Sequence, residues 1–151
     1  MVEKLKAIAT ATVSTSGHEG FNTGSLLPER DRIVINTSRV LSEAKKEVLR
    51  LSENYTPPVP KTAMVLGRGA LATLYTAINE FRLGNYMSDY DVEISRKVAY
   101  VLCGGDLTQT QEVGEQYLLE IEKQAFLELL KNQKTQERIQ YMLMNNKPLR
   151  N

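Results

Sequence analysis

Apolar residues recur at helical spacing along most of the chain, and most regularly in its second half. Residues 88–103 and 111–131 carry two strong helical patterns, and a shorter one runs from 135 to about 145. In the second pattern, at about 3.6 residues per turn, Leu118, Ile121, Ala125 and Leu129 fall on one stripe. Leu119, Phe126 and Leu130 form another, roughly 120° away, with Glu115 and Glu122 between them. A helix with two apolar faces wants two partners. Either both faces bury in one bundle, or one meets the chain's own core and the other a neighbouring domain or subunit. The spacing leaves both open.

The rest of the chain is also mostly helical in pattern. Val2, Leu5, Ile8 and Ala9 predict a short amphipathic helix over 2–11. Residues 13–25, VSTSGHEGFNTGS, are rich in Ser, Thr and Gly and predict a loop. A β-prone run at 32–35 is the one convincing strand. A helix capped by Asn36 or Thr37 follows, with Val40, Leu41, Ala44, Val48 and Leu51 as its stripe. Prolines 57, 58 and 60 in YTPPVPK (55–61) end it, because proline removes a donor and biases its neighbours to extended backbone. Leu71, Leu74, Tyr75, Ile78 and Phe81 mark the next helix, ended near Gly84. Ser88 with Asp91 forms a capping-box pattern for the 88–103 helix, whose expected core stripe is Ile94, Val98, Val101 and Leu102. Gly104 and Gly105 stop it. The expectation is a mainly α fold of five or six helices with at most one short strand. Its divisions fall at a helix/strand segment (1–54), a Pro-rich connector (55–68) and a helical region (69–151).

Charge excludes some function classes. With 19 basic and 18 acidic residues intermixed along the helices, nothing marks a nucleic-acid or acidic-membrane surface. No apolar run approaches the roughly 20 residues that span a bilayer. Lys4 and Lys6 interrupt the only apolar stretch near the start, so no signal-peptide pattern is present. A single cysteine, Cys103, rules out an internal disulfide framework and fits a reducing cytosol. The expected location is cytoplasmic.

Candidate chemistry is sparse. VLGRGALA (65–72) matches the dinucleotide fingerprint G-x-G-x-x-A after an apolar run and before a helix, where glycines let a phosphate approach backbone amides. The fingerprint also needs a second parallel strand ending in an acid about 20 residues on. Asp89 and Asp91 have the distance, but no buried strand precedes them. The competing reading is a glycine-permitted helix start with Arg68 exposed. His18, the one histidine, has no paired ligand residue for zinc and no marked partner for base catalysis. Cys103 sits at a helix C-terminus, where the dipole raises a thiol's pKa. Tyr86, Tyr90, Tyr100 and Tyr117 are expected to pack helices, since no basic stripe accompanies them. Glu112, Glu115, Glu120 and Glu122 fall on a solvated helix face and form no convergent acid/base pair.

Three phrases carry a resemblance: SRKVAYVLCGGDL (95–107), EVGEQYLLEIEKQAFLELL (112–130) and KTQERIQYMLMNNKPLRN (134–151). In this order they resemble the extreme C-terminus of the bacterial multifunctional fatty-acid β-oxidation proteins, which join 3-hydroxyacyl-CoA dehydrogenase to a crotonase-type enoyl-CoA hydratase domain. The likeness is strong over 55–151 and weaker over 2–53. There ATATVSTS (9–16) and LLPERDRIVIN (26–36) follow the layout of a short helix, a Gly-Leu pair and a strand, with Glu19, Gly24 and Leu26 in register. Gly17, Gly20 and Asn22 depart from it, because each weakens a helix. The resemblance implies a crotonase-like segment at 1–54 and a C-terminal helical portion that covers an acyl-CoA pocket and makes interdomain or intersubunit contacts. The family's oxyanion-hole amides, its acid/base glutamates and its nicotinamide site all lie outside such a portion. No catalytic, cofactor-binding or metal residue is therefore carried onto this chain, although the parent family uses NAD and acyl-CoA. The expected role is non-catalytic packing and assembly, through Leu119, Phe126, Leu130, Ile139, Met142 and Leu143. The expected partners are the rest of a parent enzyme or like subunits, not nucleic acid or membrane. The alternatives are a free-standing helical interaction module and, further off, a small nucleotide-binding enzyme, which would need a parallel sheet.

Overall fold

Helix forms nearly everywhere that the apolar spacing asks for it. In the computed structural model, which describes residues 1–151, α1 spans Val2–Ala9, α2 Gly17–Asn22 and α3 Val40–Ser52. Strand β1 (Thr62–Val65) leads into α4 (Gly67–Leu83), and α5 follows at Asp89–Leu102. Strand β2 (Gln111–Gly114) leads into α6 (Glu115–Leu130), and α7 covers Gln133–Asn145. The fold is mainly α, with seven helices and two short strands against the expected five or six and one.

The differences have physical causes. The 32–35 run is not a strand, because a strand exists only by pairing and no ladder reaches it. Pairing falls instead to β1 and β2, antiparallel, with Thr62 opposite Gly114 and Val65 opposite Gln111. That ladder joins residues about fifty positions apart, so no local pattern announces β2, and the helix expected from 111 starts at Glu115. The Glu115 amide then donates to the Lys61 carbonyl at 3.0 Å, satisfying one free end of α6 from across the ladder. Helix α2 forms inside the expected loop despite its glycines. Ser16 caps it by accepting from the Glu19 amide at 3.1 Å, and the Glu19 carboxylate accepts from both the amide and hydroxyl of Thr15 at 2.6 Å.

The chain divides into two units. The first comprises Met1–Thr12 and Pro60–Asn151, with α5 at its centre, packed against α1, α4 and α6. Its core is Leu5 from α1, Leu74 and Ile78 from α4, Val92 and Ala99 from α5, and Cys103. Ser88 and Asp91 close the expected capping box. The expected stripe of Ile94, Val98, Val101 and Leu102 is only half-buried, while Val92, Ser95, Ala99 and Cys103 form the deepest line. Small side chains at 95, 99 and 103 let neighbouring helices approach closely, which a count of large apolar residues overlooks. On α6, Ile121 and Ala125 are buried with Leu118 and Leu129 beside them, so the first of the two predicted stripes is the core face.

The second unit, Val13–Val59, holds α2, a 3-10 turn at Thr37–Arg39 and α3. Asn36, one of the two expected caps, accepts from the Ser38 amide but caps the 3-10 turn, while α3 itself begins at Val40 with no side-chain cap. Arg32 pairs with Glu47 on α3 at 3.1 Å. The α3 stripe of Val40, Leu41, Val48 and Leu51 stands exposed.

Candidate functional site

The fingerprint-like turn does form a strand, a glycine turn and a helix. Gly67 has φ +68, and a Cβ there would lie 2.9 Å from the Leu107 and Gln109 carbonyl oxygens. Those close contacts explain the glycine, and the neighbouring carbonyls also use the donors. The Gly67 amide donates to the Cys103 carbonyl at 3.0 Å, and the Arg68 amide donates to the Leu107 carbonyl at 2.9 Å. A phosphate would have to displace both. The sheet has two antiparallel strands, not the parallel pair that the dinucleotide site requires. The turn therefore does not fit a dinucleotide, and the helix-start reading describes it, with Arg68 exposed and 3.5 Å from Asp106.

Other candidate residues lie apart from one another. His18 is exposed on α2, not in a loop. Cys103 is fully buried as the C-cap of α5, and burial pushes its thiol up, a different cause from the helix dipole expected from sequence. Glu112, Glu115, Glu120 and Glu122 are all exposed, with Glu112 accepting from the Thr62 hydroxyl and Glu120 near Lys123. Of the tyrosines, Tyr90 is buried and Tyr86 is exposed. Tyr100 and Tyr117 donate to Asp106 and to the Gly104 carbonyl, each at 2.9 Å. No three His, Cys, Asp or Glu side chains are grouped to hold a metal ion.

Sequence reasoning missed one polar node. Arg138 of α7 donates to Asp91 at 2.7 Å and to the Asn151 side-chain oxygen at 2.8 Å, with its guanidinium over the Tyr90 ring at 5.1 Å. Asp91 also accepts from the Ser88 amide, and the Asn151 amide group donates to Glu137 at 2.8 Å. The Tyr90 hydroxyl bonds Thr135, the buried residue of α7. Burial raises the Asp91 carboxyl, but hydrogen bonds from Arg138 and Ser88 outweigh it and hold the group below its usual range. The node ties α7 and the chain end to the start of α5. Its partners lie 47 and 13 residues from Arg138, so no local spacing marks it.

The predicted assembly residues are mostly open to solvent. Leu119 and Phe126 of α6 are 50% and 52% exposed, and Leu130 is half-buried. On α7, which packs against α6, Ile139 and Met142 are partly open and Leu143 is 82% exposed. Phe126 also lines an apolar groove of about 420 Å³ between α5 and α6, together with Ile94, Val98, Val101, Leu102 and Leu129. These half-buried residues are the stripe expected to be core. They have the residue types of an interior without its burial, a pattern associated with interaction surfaces.

The chain is 38% identical over 151 residues to a protein of Bacillus subtilis (strain 168) named probable 3-hydroxyacyl-CoA dehydrogenase. The match covers 99% of this chain and 19% of that protein, so the chain spans about a fifth of the length of the curated relative it matches. No family model matches the chain, and no solved structure does. No helix is long and apolar enough to cross a membrane.

Proposed function

We propose that this chain is a packing and assembly segment of a larger enzyme related to the 3-hydroxyacyl-CoA dehydrogenases, and that it carries out no chemistry by itself. The similarity to about a fifth of a dehydrogenase-named protein, spread over almost the whole chain, carries this reading. The open apolar faces of α3, α6 and α7 support it, because such faces are what a segment presents where the rest of its protein, or a like subunit, packs against it. The C-terminal phrases at 95–107, 112–130 and 134–151 extend the proposal to a crotonase-type hydratase partner domain in fatty-acid β-oxidation. NAD and acyl-CoA are then handled by the rest of the parent, in a cytoplasmic assembly.

The test follows the reading frame upstream of Met1 and assays both the longer product and the 151-residue chain. The expected result is an open frame whose product oxidises 3-hydroxybutyryl-CoA with NAD and hydrates crotonyl-CoA, while the short chain does neither. Turnover by the short chain, or a stop codon directly upstream, overturns the proposal. The second outcome would favour a free-standing interaction module.

A further inference from the structure

Helix α3 is amphipathic yet buries none of its residues. Leu41, Ala44, Val48 and Leu51 form one stripe along it, and all four are exposed, Leu41 at 82%. A helix of 13 residues is marginal in water unless such a face is covered. The groove between α5 and α6 has the opposite shape, a concave apolar surface that includes Val98, Phe126 and Leu129. The two match in length. At about 1.5 Å per residue the stripe runs roughly 15 Å along α3, and the α5 wall of the groove, from Ile94 to Leu102, runs roughly 12 Å. Charge matches as well. Glu122 lines the groove with no side-chain ion pair or hydrogen bond, whereas Lys97, the other charged residue there, is paired with Glu128. On α3, Lys46 pairs with Glu43 and Arg50 with Glu47, while Lys45 has no such partner and flanks the stripe between Leu41 and Val48.

We propose that α3 of a second copy of this chain fills the groove, with its Leu41, Val48 and Leu51 against Val98, Phe126 and Leu129 and its Lys45 meeting Glu122. The mode is an amphipathic helix laid in an apolar groove and anchored at helical spacing. The inference rests on the assembly reading and names the partner surface within it. A second copy is the occupant because one chain carries both halves of the contact and neither half suits itself. Two-fold pairing of α3 with α3 would bring Lys45, near the middle of the stripe, close to its twin, and two facing grooves are both concave. Exchange in both directions closes a two-fold dimer, in which each copy gives one helix and receives one.

Sedimentation velocity of the full chain at micromolar concentration, with helix content followed by circular dichroism, tests the pairing by exchanging its charges. Lys45→Glu and Glu122→Lys, both at exposed positions, are each expected to weaken the dimer about three- to tenfold, since each sets like charges together. The double variant is expected to return to within about twofold of wild type, because the pair is restored with its signs reversed. Val48→Glu and Phe126→Glu should each be largely monomeric alone. Their equimolar mixture should form a dimer of one of each, because the first keeps an intact groove and the second an intact α3. A dimeric wild type in which the double variant is no stronger than the singles, or in which the mixture stays monomeric, overturns this pairing and leaves the assembly reading standing. A wild type that stays monomeric also overturns the pairing, and takes the assembly reading with it only if no hydrophobic dye binds.

Discussion

Gly67 and Gly69 stand two residues apart at the start of α4 and are expected to respond oppositely to substitution. At Gly67 the backbone is left-handed and a Cβ would press on two carbonyl oxygens, whereas at Gly69 nothing lies within 4 Å of the added atom. Gly67→Ala should cost about 1–3 kcal/mol, and Gly69→Ala, inside a helix, should stabilise by roughly 0.5–1 kcal/mol. Urea unfolding of the two variants measures both, and destabilisation by Gly69→Ala would mean that its open space is used by something else. The Arg138 node gives a second residue-scale expectation. Because the folded Asp91 carboxyl is held below its usual 3.8, the stability it contributes is complete above that value and is lost as pH falls through the lower folded one. Wild-type stability should therefore drop more steeply below about pH 4 than that of Asp91→Asn. Parallel pH profiles for the two proteins would remove Asp91 from this role. The capping half of the node was legible from Ser88 and Asp91, because a capping box is a local pattern. Arg138 was not, because its partners are remote in sequence.

Elements repeat this division between local and remote causes. The 88–103 helix appears with its cap and its stop where the spacing put them, as Asp89–Leu102 capped by Ser88 and Cys103. Helix α4 ends at Gly84 as expected. What the spacing misplaced was the face of α5: Ser95, Ala99 and Cys103 are its deepest residues, and pattern reading favours large apolar ones. The correction is testable by size. Ala99→Leu forces a larger side chain into a fully buried core position and should destabilise by about 1–3 kcal/mol. Val101→Leu, at the half-buried groove, should change stability by less than about 1 kcal/mol. Equal effects from the two would return the core to the face first expected. The strands were beyond local reading for a related reason. QEVG at 111–114 has little strand character of its own and is held by a ladder to Thr62–Val65, while the more β-prone 32–35 run has no partner and stays irregular.

Across the whole molecule, the amount of apolar surface left open sets the expected behaviour. Both stripes of the 115–130 helix were legible from spacing, but only the structure tells them apart: Ile121 and Ala125 are inside, Leu119 and Phe126 outside. Leu143 and the α3 residues Leu41, Val48 and Leu51 add further open side chains. Burying one such side chain fully is worth about 1.5–3 kcal/mol, so even partial cover over several favours association at modest concentration. If these faces are covered in a parent enzyme, the isolated chain should cover them with copies of itself. Sedimentation velocity at micromolar concentration is expected to show dimers or larger species. Phe126→Glu should shift the population toward monomer, because a carboxylate at the centre of the contact would lose its water without gaining a partner. Helix content should be unchanged, since Phe126 contributes little to the buried core. A clean wild-type monomer that also fails to bind a hydrophobic dye would sink the assembly reading.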